Sequence, residues 1–431
     1  MDDARDGRPG RNHYADLLRV GAIAAVVTGH WLLTDITYRD GRLSGRDALD
    51  HVDWGSWVTL VLQVLPVFFL VGGYVNATSW TSHRRRGVPW HVWVQGRALG
   101  LMWPTAVYVA VALLGVLAAT SAGAPAPDLD RGGWLVALHL WFLPLYLLMI
   151  VLTPLMLAAH RRWGLAVSAA MAVLAGGVDI AVVGRGLPWL GALNYLLVWG
   201  TMHQWGFAWQ DGRLVRPRWR SAALAAAGAV LLVVLLWPGP FPVAMIGADT
   251  RVDNTSPPST ALLALAATQA GLLLTAGPAV SPRLARPARL RRLGRLNRAV
   301  MTVYLWHMAP VVLVAVTLYP TGIAPQPDIG SASWLALRVG WVALLAVVLA
   351  PVTAALLWAQ RPLGRLPRGA RPAGAWWGPA LLLCGVGAAA AALALLATEG
   401  FAPGGRAAVL APALFAGGLA ATFLSGPRGR V

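Results

Sequence analysis

The sequence contains no lysine: all 35 basic residues among its 431 are arginine. It has one cysteine, Cys384, so no disulfide framework can form within the chain and no cysteine-based metal cluster can be built. Charge is scarce as well. Only 12% of the residues are charged, against about 25% in an ordinary soluble protein. Hydrophobic residues make up 57%, and the mean hydropathy is +0.61. These figures exclude a disordered chain and argue against a cytosolic enzyme or a nucleic-acid binder. An integral membrane protein remains. There is no His-Glu-x-x-His, no histidine pair at i, i+4, no Gly-x-Ser-x-Gly elbow and no Walker loop. No metal site is therefore expected.

What is present is a series of apolar runs, each long enough to cross a hydrocarbon core about 30 Å thick. Twelve candidate spans occur, at 16–35, 57–79, 98–120, 134–157, 164–183, 187–207, 221–237, 260–277, 299–319, 333–358, 378–397 and 406–425. Each is one continuous run rather than an alternating stretch of about ten residues, which predicts helices and not barrel strands. The expected fold is an all-α polytopic membrane bundle. The longest outer loops, 36–56 and 238–259, are too short to be domains.

The arginines set the orientation. With the N-terminus inside, 26 of the 35 fall on inner segments, among them Arg84, Arg85, Arg86 and Arg97, and seven fall outside. The +18 net charge is thus read as topological and as contact with anionic inner-leaflet lipid; no nucleic acid is needed to explain it. Tryptophans such as Trp57, Trp134, Trp163 and Trp237 lie near predicted span ends, where the indole suits the interface. The first span is not read as a cleaved signal peptide, because no small-residue cleavage site follows it. No internal repeat is evident. A composition shift over 360–377 sets off the last two spans, which are rich in Ala, Gly and Leu and are read as an appended anchoring pair.

An ionisable side chain at the bilayer centre costs about 2.5–3.5 kcal/mol by insertion scales, so each one needs a reason. The first span holds the densest set. Arg19 and His30 are eleven residues apart, which places them within about 20° of each other on a helix and about 16 Å apart along it. Asp16 lies one turn before Arg19 on nearly the same side. One stripe therefore carries a carboxylate, a guanidinium and, deeper, an imidazole. It predicts a face turned to the bundle interior or to a water-filled cavity, with Asp16 orienting Arg19. A purely structural alternative is an Asp16–Arg19 pair anchoring the helix end and a hydrogen-bonded His30. His307 lies mid-span, His139 near an outer end and His203 near an inner end; all three are open to either reading. Asp179 and Arg338 lie near outer ends and are expected to snorkel to water.

The residues also resemble a known family. The run Asp16-Leu-Leu-Arg19-Val-Gly-Ala-Ile-Ala, followed by His30, resembles the opening motif of the membrane-bound acyltransferase-3 family. Pro66-Val-Phe68-Phe69-Leu-Val-Gly72-Gly73-Tyr74 stands where that family has Phe-Phe-x-x-Ser-Gly-Tyr/Phe. Leu140-Trp141-Phe142-Leu143 and Tyr304-Leu-Trp-His307 are similar to two later motifs. The family's Arg-x-x-Arg-Leu-x-x-Pro reads here Arg97-Ala-Leu-Gly100-Leu-Met-Trp-Pro104, with Gly100 in place of the second arginine.

The resemblance implies a ten-helix core, residues 1–359, with 360–431 a linker and two extra helices. It implies transfer of an acyl group, often acetyl, to a hydroxyl of a glycan, lipid-linked sugar or natural product. No bound cofactor is expected; acyl-CoA, such as acetyl-CoA, serves as co-substrate. His30 is the expected base, acting on the acceptor hydroxyl or first taking the acyl group itself. Arg19 and Arg97 are the expected phosphate ligands of the acyl donor. Asp16, His139 and His307 are supporting candidates. The expected location is a bacterial inner membrane, multi-pass, with the N-terminus cytoplasmic. A transporter or flippase of an amphiphile is the alternative, since twelve spans and intramembrane charge also suit a carrier. A third reading is a non-catalytic membrane partner within a biosynthetic complex.

Overall fold

In the computed structural model, residues 11–52, 54–247, 252–359 and 376–426 are described. Arg5, Arg8, Arg251, Arg361, Arg365, Arg368, Arg371, Arg428 and Arg430, and most of the expected linker at 360–377, lie outside the described residues.

The chain opens with helix α1 (His13–Leu33), whose start is fixed by Asn12: its side-chain oxygen accepts from the amides of Tyr14 and Ala15 at 3.0 and 3.2 Å. An antiparallel hairpin follows, β1 (Thr34–Arg39) and β2 (Arg42–Asp47), with Thr34 opposite Asp47 and Arg39 opposite Arg42. Next come α2 (Gly55–Leu62), α3 (Leu65–Arg85) and α4 (Trp90–Ser121). Helices α5 (Ala126–Ala137) and α6 (Phe142–Trp163) are joined by a 3-10 turn at Leu138–Trp141. The middle of the chain forms α7 (Ala166–Asp179), α8 (Ala192–Gln210), α9 (Trp219–Leu236) and α10 (Thr260–Leu284). Then follow α11 (Pro287–Trp306), α12 (Ala309–Leu318) and α13 (Ala332–Ala359), and finally α14 (Gly378–Glu399) and α15 (Leu410–Leu424).

Helix occupies every one of the twelve predicted runs, but not every run makes a spanning helix. Among the described residues nine helices are long and apolar enough to cross a membrane, and α11 with α12 make a tenth as a pair bent by 53°. The two shortfalls have different causes. α15 is short. α8 is long enough but too polar, because it is enclosed by other helices: every residue from Val198 to Trp209 is buried. The β-hairpin takes up the last two residues of the first predicted span and the first part of the predicted loop at 36–56.

Small residues let the helices approach closely. A Cβ on Gly73 of α3 would lie 2.1 Å from the carbonyl oxygen of His203, and one on Gly206 of α8 would lie 2.2 Å from that of Leu70. α9 meets α10 at Gly228 and Gly271, and α14 meets α15 at Gly385 and Gly418. The last two helices do not stand apart. α14 packs on α5, α6 and the turn between them, and Phe401 donates its amide to the Gly133 carbonyl at 3.2 Å.

The two ends of the bundle differ in character. At one end the starts of α1 and α11 meet the ends of α3, α6 and α8, through Asn297 on Asp16 (2.7 Å), Arg161 on Thr81 (2.7 Å) and the Tyr14–Trp209 ring contact. At the other end the hairpin is fastened by Arg131 on Ser44 (3.1 Å), by Gln326 accepting from the Tyr38 amide (2.6 Å), and by Arg338 on Asp35. Arg338 does not snorkel: it is 12% exposed, pairs with Asp35 and lies 4.4 Å from the Trp334 ring. Asp179 is also buried. Its carboxylate accepts from Asn194 (2.7 Å) and from the amide and hydroxyl of Thr260 (both 2.6 Å). Both residues found partners inside the protein, which offset part of the cost of taking the charge out of water.

Replacing Gly73 with valine drives a branched side chain into the α8 backbone. The expected cost is about 1–3 kcal/mol or more, read as a lower thermal midpoint of the purified protein, whereas Gly100→Val, with nothing within 4 Å of its Cβ, leaves that midpoint near wild type.

Candidate functional site

Two interruptions in the helices bring the histidines together. Pro144 has no N–H to offer the carbonyl of residue 140, and Pro310 none to offer that of residue 306, so α5/α6 and α11/α12 each break just before a proline. His139 sits in the first break and His307 in the second. His30 comes from the last turn of α1. The ring centroids of His30 and His307 are 5.2 Å apart, and those of His307 and His139 are 4.9 Å apart. His307 is therefore the middle member of a row of three.

The backbone around the row is held by aromatic donors. Trp31 donates its indole N–H to the His307 carbonyl at 2.7 Å. The Tyr304 hydroxyl donates to the His139 carbonyl. The Nδ1 of His307 lies 2.7 Å from the Tyr304 carbonyl, which makes that nitrogen the protonated one and leaves Nε2 to accept. Nε2 of His307 and both ring nitrogens of His139 are buried without a hydrogen bond of ordinary length, the Leu305 backbone being a more distant partner for His139. Buried polar atoms are normally satisfied, so three orphans in one row mark a place for chemistry or a ligand. Among the described residues no group of three or more His, Cys, Asp or Glu side chains is placed to hold a metal.

His30, His139 and Tyr304 line a cavity of about 550 Å³. It extends from the histidines toward the hairpin, where Ile36, Leu43, Ser44 and Gly45 form part of its wall. Asp128 and Arg131 of α5 also border it.

The arginines gather at the other end. Arg97 of α4 donates to Asn76 Oδ1 of α3 at 2.8 Å. The Nε of Arg97 and the Nδ2 of Asn76 are buried without a partner. Arg19 lies near Tyr146, Arg97 and Asp16. This is a cationic cluster with spare donors, the chemistry that binds an anion such as phosphate. Asp16 does not hold Arg19 as expected. Its oxygens are taken by Arg11 (2.6 Å) and Asn297 (2.7 Å), with His13 at 3.8 Å. The carboxylate lies in the first turn of α1, where Arg11 just before the helix reaches it on the same side. Arg84, Arg85 and Arg86 are exposed at the end of α3.

His203 stands apart from the row of three. It is fully buried in α8, with Nε2 3.3 Å from the Thr153 hydroxyl. Sequence reasoning missed Asn76 and the His160–Asp211 contact (3.0 Å) at the arginine-rich end. Burial alone would raise the Asp211 carboxyl, but hydrogen bonds from His160 and the Arg213 amide and the nearby positive charge hold it below its ordinary value. His160 and Asp211 lie on separate helices, and no sequence spacing links them. Asn76 carried one weak signal, an amide inside an apolar run.

The family model described as an acyltransferase domain matches residues 12–357. The chain belongs to the acyltransferase-3 family. It is accordingly an acyltransferase that moves groups other than aminoacyl groups, and a multi-pass membrane protein. No curated protein and no solved structure matches it. The matched range includes all three histidines of the row and the half-buried Arg19 and Arg97, and it ends before α14.

Asn76→Ala removes the acceptor that Arg97 uses. The buried guanidinium then lacks a partner, and the expected loss is about 1–3 kcal/mol of stability, measured by thermal unfolding in lipid nanodiscs; Asn76→Asp, which keeps the acceptor, restores most of it.

Proposed function

We propose that this acyltransferase moves an acyl group, acetyl in the first instance, from acyl-CoA to a hydroxyl of a glycan, lipid-linked sugar or natural product. The observation that carries the reading is the convergence of the His30, His139 and His307 rings, of which His30 and His139 line a cavity, with Arg19 on the same face of α1 and near Arg97. The arginine pocket takes the phosphates of the donor. Helix geometry puts Arg19 about 16 Å from His30, of the order of a pantetheine arm, so the thioester reaches the histidines. Asn76 fixes the direction of Arg97.

In the transfer, His30 takes the proton of the acceptor hydroxyl as its oxygen attacks the thioester carbonyl. The carbon–sulfur bond breaks, and the proton passes to the departing thiolate, which leaves as the free thiol. A ring N–H of His139 meets the developing oxyanion. A variant of the same scheme has His30 carry the acyl group first and hand it to the acceptor. In either route His307, packed between the other two rings, sets their spacing. Arginine asymmetry supports a cytoplasmic N-terminus, which would bring the donor to the arginine-rich end from the cytoplasm.

His30→Ala is expected to lower acyl transfer from radiolabelled acetyl-CoA by about 10²–10⁴-fold, the range for loss of a general base, while the protein stays inserted and folded by thermal midpoint. A folded His30→Ala protein that acylates at the wild-type rate would falsify the assignment. Orientation is checked in a Cys384→Ser background. A cysteine replacing Arg85 is expected to react with impermeant maleimide only in inverted vesicles, and one replacing Arg42 only in right-side-out cells.

A further inference from the structure

The cavity beside the histidines has a composition that discriminates among acceptors. Its walls near the catalytic row are Val26, Leu33, Leu65, Leu138, Phe142 and Val312. Four polar side chains on the wall are already committed to the protein, and beside them, ionisable groups apart, the wall offers only the Thr34 hydroxyl and the Trp134 and Trp141 indole N–H groups. The Tyr304 hydroxyl donates to the His139 carbonyl. The Gln63 amide and the Thr255 hydroxyl both donate to the Met245 carbonyl, at 2.9 and 2.7 Å. The Ser44 hydroxyl accepts from Arg131 at 3.1 Å. The ionisable groups left facing the space are His30 and His139 at one side and Asp128 and Arg131 of α5 at another. Arg131 is exposed, which places that second polar side at the mouth.

A free sugar carries a hydroxyl on nearly every ring carbon. Each one buried here without a partner forfeits its bond to water, a loss of about tenfold in affinity. An apolar body loses nothing of the kind and gains by leaving water. The volume of about 550 Å³ is that of a small-molecule site; a polymer chain would have to pass through it.

We propose that the acceptor bound here is an amphipathic small-molecule alcohol rather than a bare glycan. Its apolar body seats among the aliphatic walls, one hydroxyl points to His30 and His139, and any further polar group lies at the mouth beside Asp128 and Arg131. This narrows the acceptor classes above and rests on the acyl-transfer reading, so binding is measured apart from turnover.

The test uses the full chain in lipid nanodiscs, with tritiated cyclododecanol and tritiated maltose as probes. Saturable cyclododecanol binding above that of protein-free nanodiscs is expected, with no saturable maltose binding. Ala315→Phe on α12 and Leu135→Phe on α5 each fill the cavity from a different helix, and each is expected to weaken cyclododecanol binding about tenfold. Both are first checked for a wild-type thermal midpoint; if neither folds, the comparison of the two probes on the wild-type protein decides. Saturable maltose binding, cyclododecanol uptake no greater than by lipid alone, or binding indifferent to both substitutions in folded protein overturns the proposal. Radiolabelled acetyl-CoA is then supplied with cyclododecanol. Acetyl transfer to the alcohol supports both readings. Cavity binding without transfer upholds the acceptor chemistry and counts against acetyl-CoA as donor.

Discussion

A backbone inside hydrocarbon has no water to bond with, so every carbonyl must find its partner within the protein. Most of this chain meets that demand by being helical. The two helix breaks at 138–141 and 307–308 cannot, and there the demand falls on side chains. Tyr304 supplies the His139 carbonyl, and Trp31 supplies that of His307 at 2.7 Å. Trp341 supplies that of Trp31 at 3.0 Å, and Tyr108 that of Val136 at 2.5 Å. These donors satisfy the backbone and in the same act fix where the histidine rings lie. The histidine row is thus a consequence of how broken helices are made tolerable in a bilayer.

Close packing supplies the rest of the support. Glycines at the α3–α8 contact allow the backbones to touch, which encloses α8 and lets it carry His203, Gln204 and Asn194 in the interior. The last two helices brace the site from the side. Phe401, just beyond α14, packs 6.1 Å from the Tyr108 ring, and Tyr108 lies 5.7 Å from that of His139. A pair read from sequence as an appended anchor therefore borders the segment that carries a site residue. The hairpin closes the opposite side of the cavity, and its first strand is tied down by the Asp35–Arg338 pair and the Trp334 indole, which donates to Asp35 at 2.9 Å. A buried pair of this kind contributes little net stability, but it gives the strand a definite seat over the cavity.

Polarity is arranged along the bundle axis. The arginine-rich end has buried donors to spare at Arg97 and Asn76, the middle has unpartnered imidazole nitrogens, and the hairpin end has an apolar cavity with a charged mouth. That sequence of environments suits a reaction whose two substrates differ in charge and meet in the middle. Neither Arg19 nor Arg97 lines the cavity, so the cationic cluster and the apolar space are separate environments.

The amino-acid sequence by itself determined the class of the fold, because apolar runs of spanning length with so little charge have no other stable arrangement. Within α1 it also determined the shared face of Arg19 and His30, since helical periodicity is local. It pointed to a polar interior face but could not say which other residues complete it. His139 and His307 are 168 residues apart, and only the packing of α5, α11 and α1 around two proline-induced breaks brings their rings to 4.9 Å. Asp179 and Arg338 took partners whose nearness no spacing records, Thr260 and Asp35, and Asp16 is shared between a local partner, Arg11, and a distant one, Asn297. Local periodicity sets which face a side chain occupies; the tertiary structure decides what faces it, because in hydrocarbon a polar group binds whatever partner the packing brings within reach.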